Sequence, residues 1–129
     1  MDVLLDDPLH AAASASALRQ AGEEGLLVLC EATLAEIVPV LGADELREFL
    51  NDWRIKFDAS TEDSARHAGE MFRLYLSRGG KRGRIVPDFL IAAHAKLRTD
   101  RLLARDRGYY RDYFKDLVLW YPNTGIFKS

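Results

Sequence analysis

Short continuous apolar runs alternate along this chain with longer stretches of helical periodicity. The run Leu26–Cys30, bounded by Gly25 and Glu31, reads as a strand covered on both faces, because a strand with one wet face would alternate apolar and polar residues. Ahead of it, Leu9–Glu24 is Ala-rich, is built of good helix formers and closes at Gly25, which predicts a helix. Glu31 opens a second helix with Leu34, Ile37, Val38 and Leu41 at helical spacing, and after Gly42 an amphipathic helix runs from Asp44 to about Trp53. Arg54–Ala59 alternates around Ile55 and Phe57 as a strand would, and Ser60-Thr61-Glu62-Asp63 starts a helix to about Ser77. A basic loop, Gly79-Gly80-Lys81-Arg82-Gly83-Arg84, follows. Pro87 then restarts helix near its first turn, and Phe89–Leu97 forms a mostly apolar cylinder. Leu102-Leu103-Ala104 reads as a short strand, Tyr109–Phe114 as a short helix, and Leu117–Tyr121 as a final strand before Pro122 and a polar tail.

Strands separated by helical segments argue for a three-layer α/β/α sandwich with a mainly parallel sheet, whose functional residues gather beyond the strand ends. A length of 129 residues fits a single domain, 1–129, with a substantial core. The balance of 48% hydrophobic and 29% charged residues is that of an ordinary folded chain and argues against disorder. The net charge of -2 means that binding to a polyanion must use a local patch. Cys30 is the single cysteine, so no intramolecular disulfide can form; with no apolar stretch near the ~20 residues of a membrane span and no leader pattern, a cytoplasmic protein is expected. Cys30 itself is expected to be a small buried hydrophobe.

Three acids in distinct settings are the candidate chemistry: Glu36 on a helix beside its apolar face, Asp88 just after Pro87 in a helix's first turn, and Asp106 just past the strand Leu102–Ala104. Carboxylates gathered from different elements are the usual way to hold Mg²⁺ or Mn²⁺ for phosphodiester cleavage. Each has a plainer reading: a solvent-facing salt-bridge partner for Glu36, a helix cap for Asp88 and a turn residue for Asp106. Lys81, Arg82, Arg84, Arg105 and Arg107, with Arg78, flank the second and third acids and could hold RNA phosphates, or be a solvated surface. His94, six residues after Asp88, points about 240° away on a helix and is expected to pack rather than catalyse. Tyr75, Tyr109, Tyr110, Tyr113 and Trp120 are candidates for base stacking, but core or interface roles are the commoner use of such aromatics.

Leu34-Ala35-Glu36, Pro87-Asp88-Phe89-Leu90-Ile91-Ala92-Ala93-His94-Ala95 and Leu102-Leu103-Ala104-Arg105-Asp106-Arg107-Gly108-Tyr109-Tyr110 resemble PIN domains, specifically the VapC-type toxin ribonucleases. The resemblance covers essentially the whole chain, and its most specific part surrounds Asp88. It implies an α/β/α sandwich, RNA cleavage with Mg²⁺ or Mn²⁺, and Glu36, Asp88 and Asp106 as catalytic metal ligands. It also implies a homodimer and a small antitoxin protein as partner. Family members open with an apolar strand ending in Asp-Thr-Asn or Asp-Thr-Ser and then an apolar helix. Val3-Leu4-Leu5 is matched here to that helix, so the first strand and its acid are expected to be absent, Met1 to be an internal start, and Asp2, Asp6 and Asp7 to lie past the motif. Ala104 stands where many relatives carry Thr. The alternative expectation is therefore a catalytically weakened PIN-like module that binds RNA or protein.

Overall fold

A computed structural model of the chain describes residues 1–8, 15–80, 86–104, 109–121 and 126–128. In chain order the elements are β1 (Asp2–Leu5), α1 (Ala15–Glu24), β2 (Leu26–Leu29), α2 (Glu31–Ile37), α3 (Ala43–Asp52), β3 (Lys56–Phe57) and α4 (Glu62–Ser77). Then follow α5 (Val86–Arg98), β4 (Arg101–Leu103), α6 (Tyr109–Tyr113), β5 (Leu119–Tyr121) and β6 (Ile126–Lys128). The strands form one sheet in the order β3-β2-β1-β4-β5-β6. Pairing is parallel from β3 through β5, and β6 closes the edge antiparallel to β5.

The first strand is present, which corrects the expectation that it was missing and that Val3-Leu4-Leu5 was helical. Val3 pairs with Leu27 on one side and Arg101 on the other, and Leu4 with Val28 and Leu102, so β1 is central in the sheet. Val3, Leu4 and Leu5 are all buried, as suits a parallel strand with helices over both faces. The polar tail expected after Pro122 likewise contains a strand, β6.

Side-chain alternation divides the core into two layers. Leu4, Val28 and Leu102 point to the face that packs against Phe89, Ile91, Ala92, Ala93 and Ala95 of α5. Val3, Leu5, Leu27, Leu29 and Leu103 point to the other, where Leu18 and Ala21 of α1 and Ile37 of α2 cover them, with Leu46, Phe49 and Leu50 of α3 packed alongside. The α/β/α sandwich follows directly from this period of two.

Local chemistry fixes the joints. The expected helix start is a capping box: Thr61 Oγ1 accepts from the Ser64 amide at 3.1 Å, and Ser64 Oγ accepts from the Thr61 amide at 3.0 Å. At Gly25 the chain turns against the N-terminus, where the Leu26 amide donates to the Met1 carbonyl at 2.7 Å and a Cβ on Gly25 would collide with that carbonyl oxygen. No helix among the described residues is long and apolar enough to cross a membrane.

Candidate active site

The parallel strands deliver their carboxyl ends to one edge of the sheet, the edge where open α/β sheets place ligands. At that edge the Asp6 amide donates to the Leu103 carbonyl at 3.0 Å, continuing the β1–β4 ladder one residue past the strand. Asp6 is thereby held just beyond the central strand with only 2% of its surface exposed.

Helix α2 is tied to the same place. Thr33 is buried, and its hydroxyl donates to the Leu5 carbonyl at 3.3 Å, the peptide immediately before Asp6. Glu36 lies three residues on, close to the same side of the helix, and is exposed. Among the described residues no cation pairs with it.

Asp88 sits in the first turn of α5 and is 6% exposed, whereas the next residues of that helix are apolar and buried. An ionised carboxylate this deep is costly in water-poor surroundings, and the amides of a helix start favour the charged form. Glu36 and Asp88 meet across an open cavity of about 710 Å³ lined by Ala32, Ala35, Glu36, Pro39, Pro87, Asp88 and Leu90. Two sequence-predicted acids from separate helices are thus brought together on one wall, although Asp6 is not part of that lining.

Asp106 and the basic residues Lys81, Arg82, Arg84, Arg105 and Arg107 lie outside the described residues. Arg78, by contrast, lies over the Tyr113 ring at 5.3 Å. Tyr75 and Tyr113 pack with Phe72 and Phe89 in an aromatic cluster, so these tyrosines serve the core. His94 is fully buried, as expected for packing, and Cys30 is a buried free thiol.

Residues 1–115 match the family model described as PIN domain. The chain belongs to the PIN-domain family. The match begins at residue 1, so the strand β1 and Asp6 fall within the PIN domain. Two solved structures share the fold. VapBC2 from Rickettsia felis, bound to a DNA fragment from its promoter, aligns with a TM-score of 0.70 at 18% identity, over 94% of this chain and 98% of that one. VapBC-1 from nontypeable Haemophilus influenzae aligns with a TM-score of 0.73, also at 18% identity, over 95% of this chain and 99% of that one. No curated protein matches the sequence.

Asp6 is a buried acid inside the span of the PIN-domain match that the sequence reading set aside. Its signal is present in the chain: Val3-Leu4-Leu5-Asp6 is an apolar run followed by an acid, the same arrangement that draws attention to Asp106 after Leu102–Ala104. Carboxylates stand at the end of β1, on α2 and at the start of α5, and carboxylate oxygens are the donors that a hard divalent cation takes.

Proposed function

We propose that this PIN domain is a divalent-metal-dependent endoribonuclease that hydrolyses RNA phosphodiester bonds, the toxin of a toxin–antitoxin pair. The observation that carries this reading is the cavity shared by Glu36 and Asp88 at the carboxyl edge of the parallel sheet. On this reading Glu36, Asp88 and Asp106 would hold Mg²⁺ or Mn²⁺, joined by Asp6, the acid at the end of the central strand. The bound ion would supply Lewis acidity toward a phosphoryl oxygen and a water of lowered pKa. The carboxylates would position it beside a lining that also includes Ala32, Ala35, Pro39 and Leu90. Lys81, Arg82, Arg84, Arg105 and Arg107 are assigned to the RNA backbone, where cations position phosphates without reading bases.

A small antitoxin and a homodimer belong to the same reading. The fold is shared with the two VapBC assemblies, which supports a partner of that kind. The weakened-module alternative rested on a missing strand and acid; a central β1 with Asp6 buried at its end supports the nuclease reading over it.

The test is cleavage of a structured RNA by the purified chain with and without Mn²⁺. The proposal expects cutting that EDTA stops and Asp88→Asn abolishes. Cutting that survives Asp88→Asn in a folded protein would contradict it.

A further inference from the structure

A second cluster of donors lies one residue along α2 from the cavity lining but uses none of the acids assigned to catalysis. One ligand atom each from Cys30, Glu31 and His94 falls within 4.8 Å of the others. Cys30 follows β2, Glu31 opens α2 and His94 belongs to the middle of α5, so the cluster joins the two helices that carry Glu36 and Asp88.

His94 makes this more than a chance grouping. Its side chain is fully buried, Nε2 faces Asp58 Oδ2 at 3.0 Å, and Nδ1 has no hydrogen-bond partner among the described residues. The Asp58 contact leaves Nδ1 as the ring nitrogen open to a ligand. A buried imidazole left in this state is expensive, and a bound cation would remove the cost. Burial also holds the His94 ring below its ordinary value, against the opposing pull of Asp58 and Glu31, which favours the neutral form that coordinates metals.

Glu31 is already oriented. Both of its carboxylate oxygens accept from the Ser60 amide, at 3.1 and 3.0 Å, and the Ser60 hydroxyl donates to the first of them. Lone-pair capacity remains on each oxygen. Asp58, held on its outer side by Arg98 at 2.9 and 3.0 Å, supplies a carboxylate next to the ring of the kind that commonly orients a metal-bound histidine. Asp58 and Glu31 are half-buried, whereas Cys30 and His94 are buried.

We propose that Cys30, Glu31 and His94 bind a divalent cation of the zinc class at a site separate from the nuclease cavity, clamping the β2–α2 junction to α5. A thiolate, an imidazole and a carboxylate suit Zn²⁺, whereas Mg²⁺ takes oxygen donors alone. Binding releases the Cys30 thiol proton to solvent and forms the sulfur–metal bond; no oxidant or reductant takes part. Three protein ligands leave one coordination position for water.

Cobalt(II) titration into the metal-stripped, folded chain tests the site, because only a thiolate ligand gives a sulfur-to-cobalt charge-transfer band in the near ultraviolet. The band should saturate at one equivalent and be displaced by Zn²⁺. Asp88→Asn should keep it, Cys30→Ser should abolish it, and Glu31→Gln should weaken cobalt binding by about tenfold or more. In the Asp88→Asn background, where the nuclease acids are disabled, Zn²⁺ should also raise the melting temperature, and adding Cys30→Ser should remove that rise. Because His94→Gln could unfold a buried position, Cys30→Ser and Glu31→Gln are the deciding variants, with circular dichroism confirming their fold. Absence of the band in folded wild type, or an equal zinc stabilisation of Asp88→Asn with and without Cys30→Ser, would overturn the proposal.

Discussion

The amide of Asp6 bonds to the carbonyl of Leu103 at 3.0 Å, so the last rung between the two central strands is also the support of a buried acid. Positioning by a sheet ladder is stiffer than positioning by a loop. Asp6→Asn keeps that backbone bond and changes only the carboxylate. The expected result is a folded protein whose metal-dependent RNA cleavage falls by about two orders of magnitude, as loss of several kcal/mol of charge stabilisation requires. Asp2→Asn, at the opposite end of β1, should cut normally. Steady-state cleavage rates of both variants decide it.

Thr33 links α2 to β1 through the Leu5 carbonyl. Thr33→Val keeps the shape and removes the donor, leaving that carbonyl short of a partner. A loss of about 1 kcal/mol in urea unfolding is expected. Cleavage should fall as well, because Glu36 rides on the same helix; unchanged stability would mean the bond contributes nothing.

Gly25 has no room for a side chain. Gly25→Ala pushes a methyl group into the Met1 carbonyl, at the place where Leu26 bonds back to it. Since β1 begins beside this contact and is the centre of the sheet, a cost of about 1–3 kcal/mol is expected. Thermal melting should register it as a drop of several degrees, whereas Gly42→Ala, with open space around it, should shift the melting point far less.

Much of this architecture can be read from the sequence where the signal is local. Leu26–Cys30 is a strand run with helix formers on both sides, and Thr61 with Ser64 caps a helix through neighbours three residues apart. Glu36 and Asp88 each stand out in sequence against an apolar helix face, and the fold brings both to the lining of one cavity. β1 was not legible, since three apolar residues are too few to show a period of 2 or 3.6; what makes Val3–Leu5 a strand is pairing to β2 and β4, far away in the chain. Missing β1 also hid Asp6. The cluster around His94 depends on Asp58 and Glu31 arriving from other elements, a relationship no spacing along α5 encodes.

Acid should weaken the fold early. Burial holds His94 below its ordinary value of 6.5, and burial does the same for His67. Unfolding frees both rings to take up protons, so their contribution is fully present above that value and is lost as pH falls below it. Asp58, held below 3.8 by its hydrogen bonds to Arg98, adds a loss in the same direction only at still lower pH. Urea midpoints should therefore decline between about pH 7 and about pH 5, and His94→Gln should flatten that slope whatever its effect on absolute stability. A wild-type midpoint constant over this range would rule the mechanism out.

The nuclease reading stands or falls on whether Asp88 holds a metal that cuts RNA. Calorimetric titration of Mn²⁺ into the Cys30→Ser chain, which lacks the thiolate site, and into Cys30→Ser with Asp88→Asn, followed by RNA cleavage under the same conditions, measures both halves at once. Saturable binding and cutting in the first protein, with both lost in the second, is the predicted result. A folded first protein that binds no Mn²⁺ and leaves RNA intact would contradict it.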